Sequence, residues 1–301
     1  MTSRRPNVRV GSVRRFVQFA LLRDGWFSAR EFVPNFFTLL SICCGLVAIR
    51  WAIEGEFEWS LAAIVTSVIL DGVDGRAARI LDAQSKFGAE FDSLADFLSF
   101  GVAPAILIFN WGLLHLSGVG WAAVTMLTLA CGVRLARFNA TIDREKLPWE
   151  QNYFTGMPAP AAAILALLPL YLDGILSTGD PALPAFAPQP MWISASIIAY
   201  TVTIAFLMVS TIPTFAGKVA GDRIAREYPL VLLIVGVGAI GLLLLYPYAT
   251  LATASVLYLL LLPLGVRRYL QLDKPDSGPN TGPDSGNDDE IAAGYSRKAG
   301  E

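Results

Sequence analysis

The chain has little of what most soluble enzymes work with. Its single histidine, His115, excludes any mechanism that needs paired histidines. The three cysteines, Cys43, Cys44 and Cys131, all lie in apolar runs, so neither a disulfide framework nor a thiolate metal site is available, and packing is their expected role. No P-loop pattern occurs. The run Gly236-Val237-Gly238-Ala239-Ile240-Gly241 fits GxGxxG, but it sits in an apolar span with no strand before it and no suitably placed acid after it. It reads as helix-packing glycine and not as a dinucleotide site. Charged residues make up only 16% of the chain and the formal net charge is -2, so no nucleic-acid partner is expected.

Apolar residues are abundant. With 54% hydrophobic residues and a mean hydropathy of +0.52, the composition is that of a polytopic membrane protein. A helix crossing the hydrocarbon core needs roughly 20 apolar residues. That template fits residues 34–53, 58–79, 95–115, 119–139, 158–177, 191–211, 228–246 and 249–266. The expected fold is therefore all-α, a membrane bundle of about eight transmembrane helices. Basic residues alternate between the connecting links. Arg76, Arg79 and Lys86 follow the second span, Arg134, Arg137, Arg144 and Lys146 the fourth, Lys218, Arg223 and Arg226 the sixth, and Arg267 and Arg268 the eighth. The links between carry none, with Arg50 in the first span the one blemish. Cytoplasmic loops collect Lys and Arg, which places both termini in the cytoplasm. Trp51, Trp121 and Tyr246 near span ends read as interface anchors.

The ends differ from the middle. Residues 1–32 interleave arginines with Phe16, Phe19, Trp26 and Phe27, as in a helix lying on anionic lipid or a solvated basic arm; both readings stand. Residues 33–270 form the transmembrane domain. Residues 271–301 are rich in Pro, Gly, Ser, Asn and acids, with PDSG occurring twice, a composition that cannot bury enough apolar surface to fold.

Four acids at the junction of two apolar segments carry the chemistry. Charged groups at membrane depth mark ion or substrate sites. On a helix, Asp71, Asp74, Gly75 and Ala78 share one face, and Gly88, Asp92 and Asp96, each four residues on from the last, share a face of the next helix. Two helices joined between Leu81 and Lys86 can point all four carboxylates at one place. Hard oxygen ligands without His or Cys suit Mg²⁺ or Mn²⁺. Arg79 and Lys86 add positive charge that a simple cation site would not need, which suggests a phosphate or diphosphate ligand.

The pattern Asp71-x2-Asp74-Gly75-x2-Ala78-Arg79-x8-Gly88-x3-Asp92-x3-Asp96 resembles, without a mismatch, the signature of the CDP-alcohol phosphatidyltransferases. The runs VPNFFTLLSICCGLVAI, FDSLADFLSFGVAPA, GVRLARFN and YFTGMPAPAAA, and more loosely MVSTIPTFAGK, look like the membrane-integral phosphatidylserine synthases of that family. The resemblance implies transfer of a phosphatidyl group from CDP-diacylglycerol to L-serine with release of CMP; the expected location is the inner (plasma) membrane of a bacterium, where the loop charges put the active site on the cytoplasmic face. It implies that Asp71, Asp74, Asp92 and Asp96 hold the metal and that Asp96 also acts as general base. Asn35, Thr38, Gly75, Ala78, Arg79, Ser85 and Gly88 would bind CDP-diacylglycerol. It also suggests a homodimer.

A serine acceptor needs a group for its carboxylate. Lys86, Arg134 or Arg137 would bind serine or a phosphate, or the two arginines serve only as positive-inside anchors. Other readings are the same chemistry with glycerol 3-phosphate or inositol as acceptor, a cation transporter using the acids as a translocation site, and a non-catalytic lipid-binding scaffold.

Overall fold

The computed structural model describes residues 29–83, 85–140, 153–179, 186, 189–210, 213–215 and 229–272. Helix α1, Ala29–Glu54, carries no charged residue from Phe32 to Ile49. It stops at Gly55, whose φ of +84° lets Glu56 N–H reach Trp51 O at 2.9 Å and Gly55 N–H reach Ala52 O at 3.4 Å. This pair of reversed bonds satisfies carbonyls that the helix end would leave orphaned. Helix α2, Phe57–Ile80, then returns along α1.

Small residues hold these two helices together. Ser41, Ala48 and Ala52 on α1 and Ser60, Ala63 and Ser67 on α2 are all buried. Ser41 and Ser67 share a hydroxyl hydrogen bond at 2.6 Å, and the Ser60 hydroxyl donates to Ala48 O at 2.8 Å. In lipid, where apolar contact alone gives no preference for a neighbouring helix, close backbone approach and buried hydrogen bonds favour association.

After a short turn, α3, Lys86–Asp96, runs without interruption into a π-turn, Phe97–Val102, helix α4, Ala103–Ile108, a second π-turn, Phe109–Leu113, and a final 3₁₀ turn, Leu114–Leu116. The result is one rod of 31 residues, Lys86–Leu116. Its middle is the heart of the bundle: Phe100, Leu107, Ile108 and Leu113 are fully buried. Helix α5, Ser117–Ala140, packs on the rod and on α8, Met191–Val209. Between them come α6, Ala159–Ala166, and α7, Leu168–Gly179, the latter lying against α10, Pro247–Leu272. Helix α9, Pro229–Leu245, precedes α10. Strand β1, Tyr153–Thr155, pairs antiparallel with β2, Pro213–Phe215, in a two-stranded ribbon.

The all-helical class holds apart from that ribbon. Among the described residues, five helical stretches are long and apolar enough to cross a membrane: Phe32–Glu54, Lys86–Leu116, Gly118–Ala140, Ala159–Ser177 and Met191–Val209. The expected second span is continuous helix, but its last turns carry Asp71, Asp74, Arg76 and Arg79. The last two expected spans fall on α9, Pro229–Leu245, and α10, Pro247–Leu272. Expected span 95–115 begins further back because α3 is amphipathic, and hydropathy alone does not register its polar first turns. The span expected at 158–177 appears as Ala159–Ser177, with the single residue Leu167 outside helix between α6 and α7.

Other expectations resolve locally. Arg50 forms an ion pair with Glu54 at 2.9 Å, so the blemish in the charge alternation has its own counter-ion. Cys131 is buried, as packing requires, but Cys43 is exposed on α1. Gly236, Gly238 and Gly241 pack against nothing: a Cβ on any of them would meet no described atom within 4 Å. The basic arm up to residue 28 and the acidic tail from residue 273 lie outside the described residues.

Candidate active site

The turn between α2 and α3 places the acids. Helix α2 ends with Asp82 at φ 48°, a left-handed position that Asp tolerates better than most side chains. Ala83 N–H bonds to Ala78 O at 2.9 Å and Asp82 N–H to Arg79 O at 3.4 Å, repeating the device that ends α1. Ser85 then caps α3, its hydroxyl accepting from Gly88 N–H at 3.0 Å. A serine in extended conformation at this position supplies the acceptor that the first turn lacks. The two acid-bearing helices are thus clamped at both ends of their connection.

The carboxylate oxygens of Asp71, Asp74 and Asp92 lie within 4.8 Å of one another. Asp96, one turn further along α3, has its carboxyl within hydrogen-bonding reach of Asp71. All four predicted acids are therefore brought together. Oxygen ligands at about 2.1 Å from one octahedral ion stand roughly 3.0 Å apart when adjacent and roughly 4.2 Å when opposite, so the three carboxylates would have to draw together around an ion. Oxygen-only donors fit Mg²⁺ or Mn²⁺ and not zinc or copper.

Helix α1 braces this group. The Thr38 hydroxyl, buried, stands 2.9 Å from Asp74 Oδ2 and 3.1 Å from Pro34 O. Thr38, expected at the nucleotide, stands against one of the acids. Asn35 lies one turn earlier, its Nδ2 buried without a hydrogen-bond partner and its Oδ1 facing Gly88. A Cβ on Gly75 would meet nothing within 4 Å, so the space beside it is open to a ligand. Ala78 is half-buried, whereas Arg79 and Lys86 are exposed. Arg79 Nε donates to Gly75 O at 2.9 Å, which folds its guanidinium back over the glycine.

The two arginines of α5 part company. Arg134 is half-buried with Asp96 and Asp71 as electrostatic partners, and its Nε is buried without a hydrogen-bond acceptor. Leaving a buried donor unsatisfied costs on the order of 1–3 kcal/mol. Arg137 is exposed, and its Nη1 donates to Val209 O at 2.8 Å, at the end of α8. His115 sits in the last turn of the rod, roughly 35 Å along a helix from Asp92, too far to reach the acids.

Several contributors were not read from the sequence. Asn139 donates to Glu90 Oε2 at 3.2 Å and exchanges hydrogen bonds with Ser93, fixing α5 against α3 next to Asp92. Its place in the GVRLARFN run was the one available signal. Tyr258 of α10 lies within electrostatic range of Arg134, on an apolar helix that offered no such signal.

A family model for CDP-alcohol phosphatidyltransferase matches residues 31–209, which hold every acid of the site. The chain is 37% identical over 239 residues, 79% of each chain, to a CDP-diacylglycerol–serine O-phosphatidyltransferase of Mycobacterium tuberculosis. It is 40% identical to the protein of that name from Helicobacter pylori, over 46% of this chain and 57% of the relative. It is also 32% identical to an archaetidylserine synthase of Methanothermobacter thermautotrophicus, over 54% of this chain and 67% of the relative. A clamped pair of helices with four converging acids, together with these matches, establishes that the chain belongs to the CDP-alcohol phosphatidyltransferase family.

Proposed function

We propose that this protein transfers the phosphatidyl group from CDP-diacylglycerol to L-serine, forming phosphatidylserine and CMP. The observation that carries this is the convergence of Asp71, Asp74 and Asp92 with Asp96 beside them, in a chain whose relatives are named for serine as acceptor.

The serine hydroxyl attacks the phosphorus that bears diacylglycerol, the bond from that phosphorus to the CMP oxygen breaks, and CMP leaves. The hydroxyl proton passes to Asp96. A positioned carboxylate is suited to this, because the hydroxyl is a poor nucleophile until its proton is taken as the new bond forms. Asp71, Asp74 and Asp92, with help from Asp96, would hold a divalent ion, Mg²⁺ or Mn²⁺, which when bound would supply electrostatic stabilisation to the diphosphate. Thr38 holds Asp74 in place for that duty. Gly75 admits the nucleotide where a side chain would intrude, Arg79 lies over it, and Asn35 offers its unused amide donor. Ala78 and Gly88 keep the floor between α2 and α3 low, while Ser85 holds the first turn of α3.

The alternation of basic links supports the eight-span arrangement with both termini and the acids on the cytoplasmic side, in the plasma membrane of a bacterium. CDP-diacylglycerol headgroups and free serine meet at that surface.

Purified protein in mixed micelles with labelled L-serine and CDP-diacylglycerol tests the proposal. Chloroform-soluble label and CMP are expected in equal amounts, both lost with chelator and in Asp96→Asn. Incorporation that survives Asp96→Asn would refute the assignment of the base.

A further inference from the structure

The rod changes its winding immediately after Asp96. Over Phe97–Val102 it makes a π-turn, and at the end of that turn Ala103 N–H donates to Leu98 O, five residues back instead of four. Such turns take in one extra residue and recur at functional sites. The consequence is rotational. In an uninterrupted α-helix the residue one turn beyond Asp96 on its own face would be Phe100, four positions on; the widened turn puts Gly101, five positions on, in that place. Gly101 lies against α5, where a Cβ on it would stand 3.0 Å from Cys131 Cβ and 3.2 Å from Cys131 Sγ. Cys131 is also an electrostatic neighbour of Asp96, so Asp96 and Gly101 share the side of the rod that looks at α5. Phe100, displaced from this position, is fully buried in the core.

Two neighbouring helices pin the widened turn. On the α1 side the Ser99 hydroxyl, fully buried, donates to Ser41 O at 3.2 Å. Gly45, one turn along α1, lets the two backbones meet there: a Cβ on it would lie 2.7 Å from Ser99 Oγ and 3.3 Å from Ser99 Cα. Ser41 O also receives the Ser67 hydroxyl at 3.4 Å, four residues before Asp71 on α2. On the α5 side the Thr128 hydroxyl stands 3.3 Å from Gly101 O and 3.1 Å from Val124 O. Gly132, one turn further along α5, admits the Phe97 ring, whose Cε2 would be 3.2 Å from a Cβ on that glycine. Buried hydrogen bonds between helices fix their register where apolar contact with lipid does not.

Resting on the reading of Asp96 as general base, we infer that the π-turn aims Asp96 at the other acids, and that Ser99 and Thr128 are the positioning residues that hold the turn in that state. With Ala103–Ile108 fixed in the core, a rod wound as plain α-helix would carry the side chain of Asp96 about 100° from where it lies, the rotation of one residue. Asp92 is less exposed to slack in the turn, because α3 is held near it by the Ser85 cap and by the bond between Asn139 and Ser93. Asp96 is the last residue of α3 and adjoins the turn. Loosening the turn therefore displaces the base more than the metal ligand one turn earlier.

Steady-state kinetics of Ser99→Ala, Thr128→Val and Thr128→Ser in detergent micelles test this, with CMP release followed while L-serine, CDP-diacylglycerol and Mg²⁺ are each titrated. A shift of 1 Å in a reacting group costs on the order of 100-fold, so the smaller displacement expected from losing one pin should lower kcat roughly tenfold in Ser99→Ala and in Thr128→Val. Both KM values and the half-saturating Mg²⁺ concentration should move less than about threefold. Thr128→Ser, which restores the hydroxyl, should recover most of the loss. Ser60→Ala is the control for general loosening of the bundle: it removes a buried bond of the same kind, to Ala48 O at 2.8 Å, and should lower the melting temperature while leaving kcat within about threefold. Unchanged kcat in Ser99→Ala and Thr128→Val, or an equal fall in Ser60→Ala, would overturn the role of the turn. So would a shift in Mg²⁺ dependence as large as the fall in kcat, or a Thr128→Ser no better than Thr128→Val. Asp96→Asn, assayed alongside, separates the two readings. If it keeps the kcat of the wild type, the assignment of the base fails; if it loses activity while Ser99→Ala and Thr128→Val do not, the base stands and the positioning role fails.

Discussion

Replacing Thr38 with valine separates the two roles that this residue can have. The substitution keeps the side-chain shape and removes one hydroxyl, which stands 2.9 Å from Asp74 Oδ2 at a position only 4% exposed. A hydrogen bond to a charged group contributes about 1.5–3 kcal/mol net. At about 1.4 kcal/mol per decade this is roughly a 10- to 100-fold loss, the range usual for a residue that orients a metal ligand. The assay is CMP release at saturating L-serine and CDP-diacylglycerol while Mg²⁺ or Mn²⁺ is titrated, with calorimetric metal binding as a second readout. The half-saturating metal concentration should rise by that factor, while kcat at saturating metal and the KM for CDP-diacylglycerol move by less than about threefold. Unchanged metal dependence together with a raised KM for CDP-diacylglycerol would put Thr38 on the nucleotide, and refute its placement behind Asp74.

Four further outcomes follow from close contacts, from their absence and from one exposed ion pair. Gly75→Ala should leave the melting temperature within a degree or two, since its Cβ meets nothing within 4 Å, yet raise the KM for CDP-diacylglycerol; Gly45→Ala, whose Cβ would lie 2.7 Å from Ser99 Oγ and 3.3 Å from Ser99 Cα, should lower stability by about 1–3 kcal/mol. Thermal unfolding in detergent checks both. Gly156→Ala combines a left-handed backbone with contacts to the carbonyls of Ser210 and Met208 and should cost at least about 1–2 kcal/mol, read as lower yield and melting temperature. Arg50→Ala should change stability by less than about 1 kcal/mol, because its pair with Glu54 is exposed on one helix.

Much of the site was legible because helical spacing is a strong geometric statement. Asp71 and Asp74 three apart, and Gly88, Asp92 and Asp96 four apart, can face a common point only if two helices meet at a short turn, and they do. The division between Arg134 and Arg137 was not legible: both are arginines in a basic link, and what parts them is the position of Val209 O, 72 residues further along the chain. The ribbon was equally hidden, since three-residue strands leave no periodicity to read. Hydropathy located the apolar stretches but not their breaks. It missed the amphipathic start of α3 and the interruption at Leu167, and it credited Gly236, Gly238 and Gly241 with a packing partner that no described residue supplies.

The most direct test offers the purified protein CDP-diacylglycerol with L-serine, glycerol 3-phosphate and inositol together at equal concentration, and identifies the lipid product by mass spectrometry. Phosphatidylserine as the dominant product, matched mole for mole by CMP, is the expected result. A product carrying glycerol phosphate or inositol, with serine left unused, would contradict the assignment of the acceptor, and no CMP release with any of the three would contradict phosphatidyl transfer at the four aspartates.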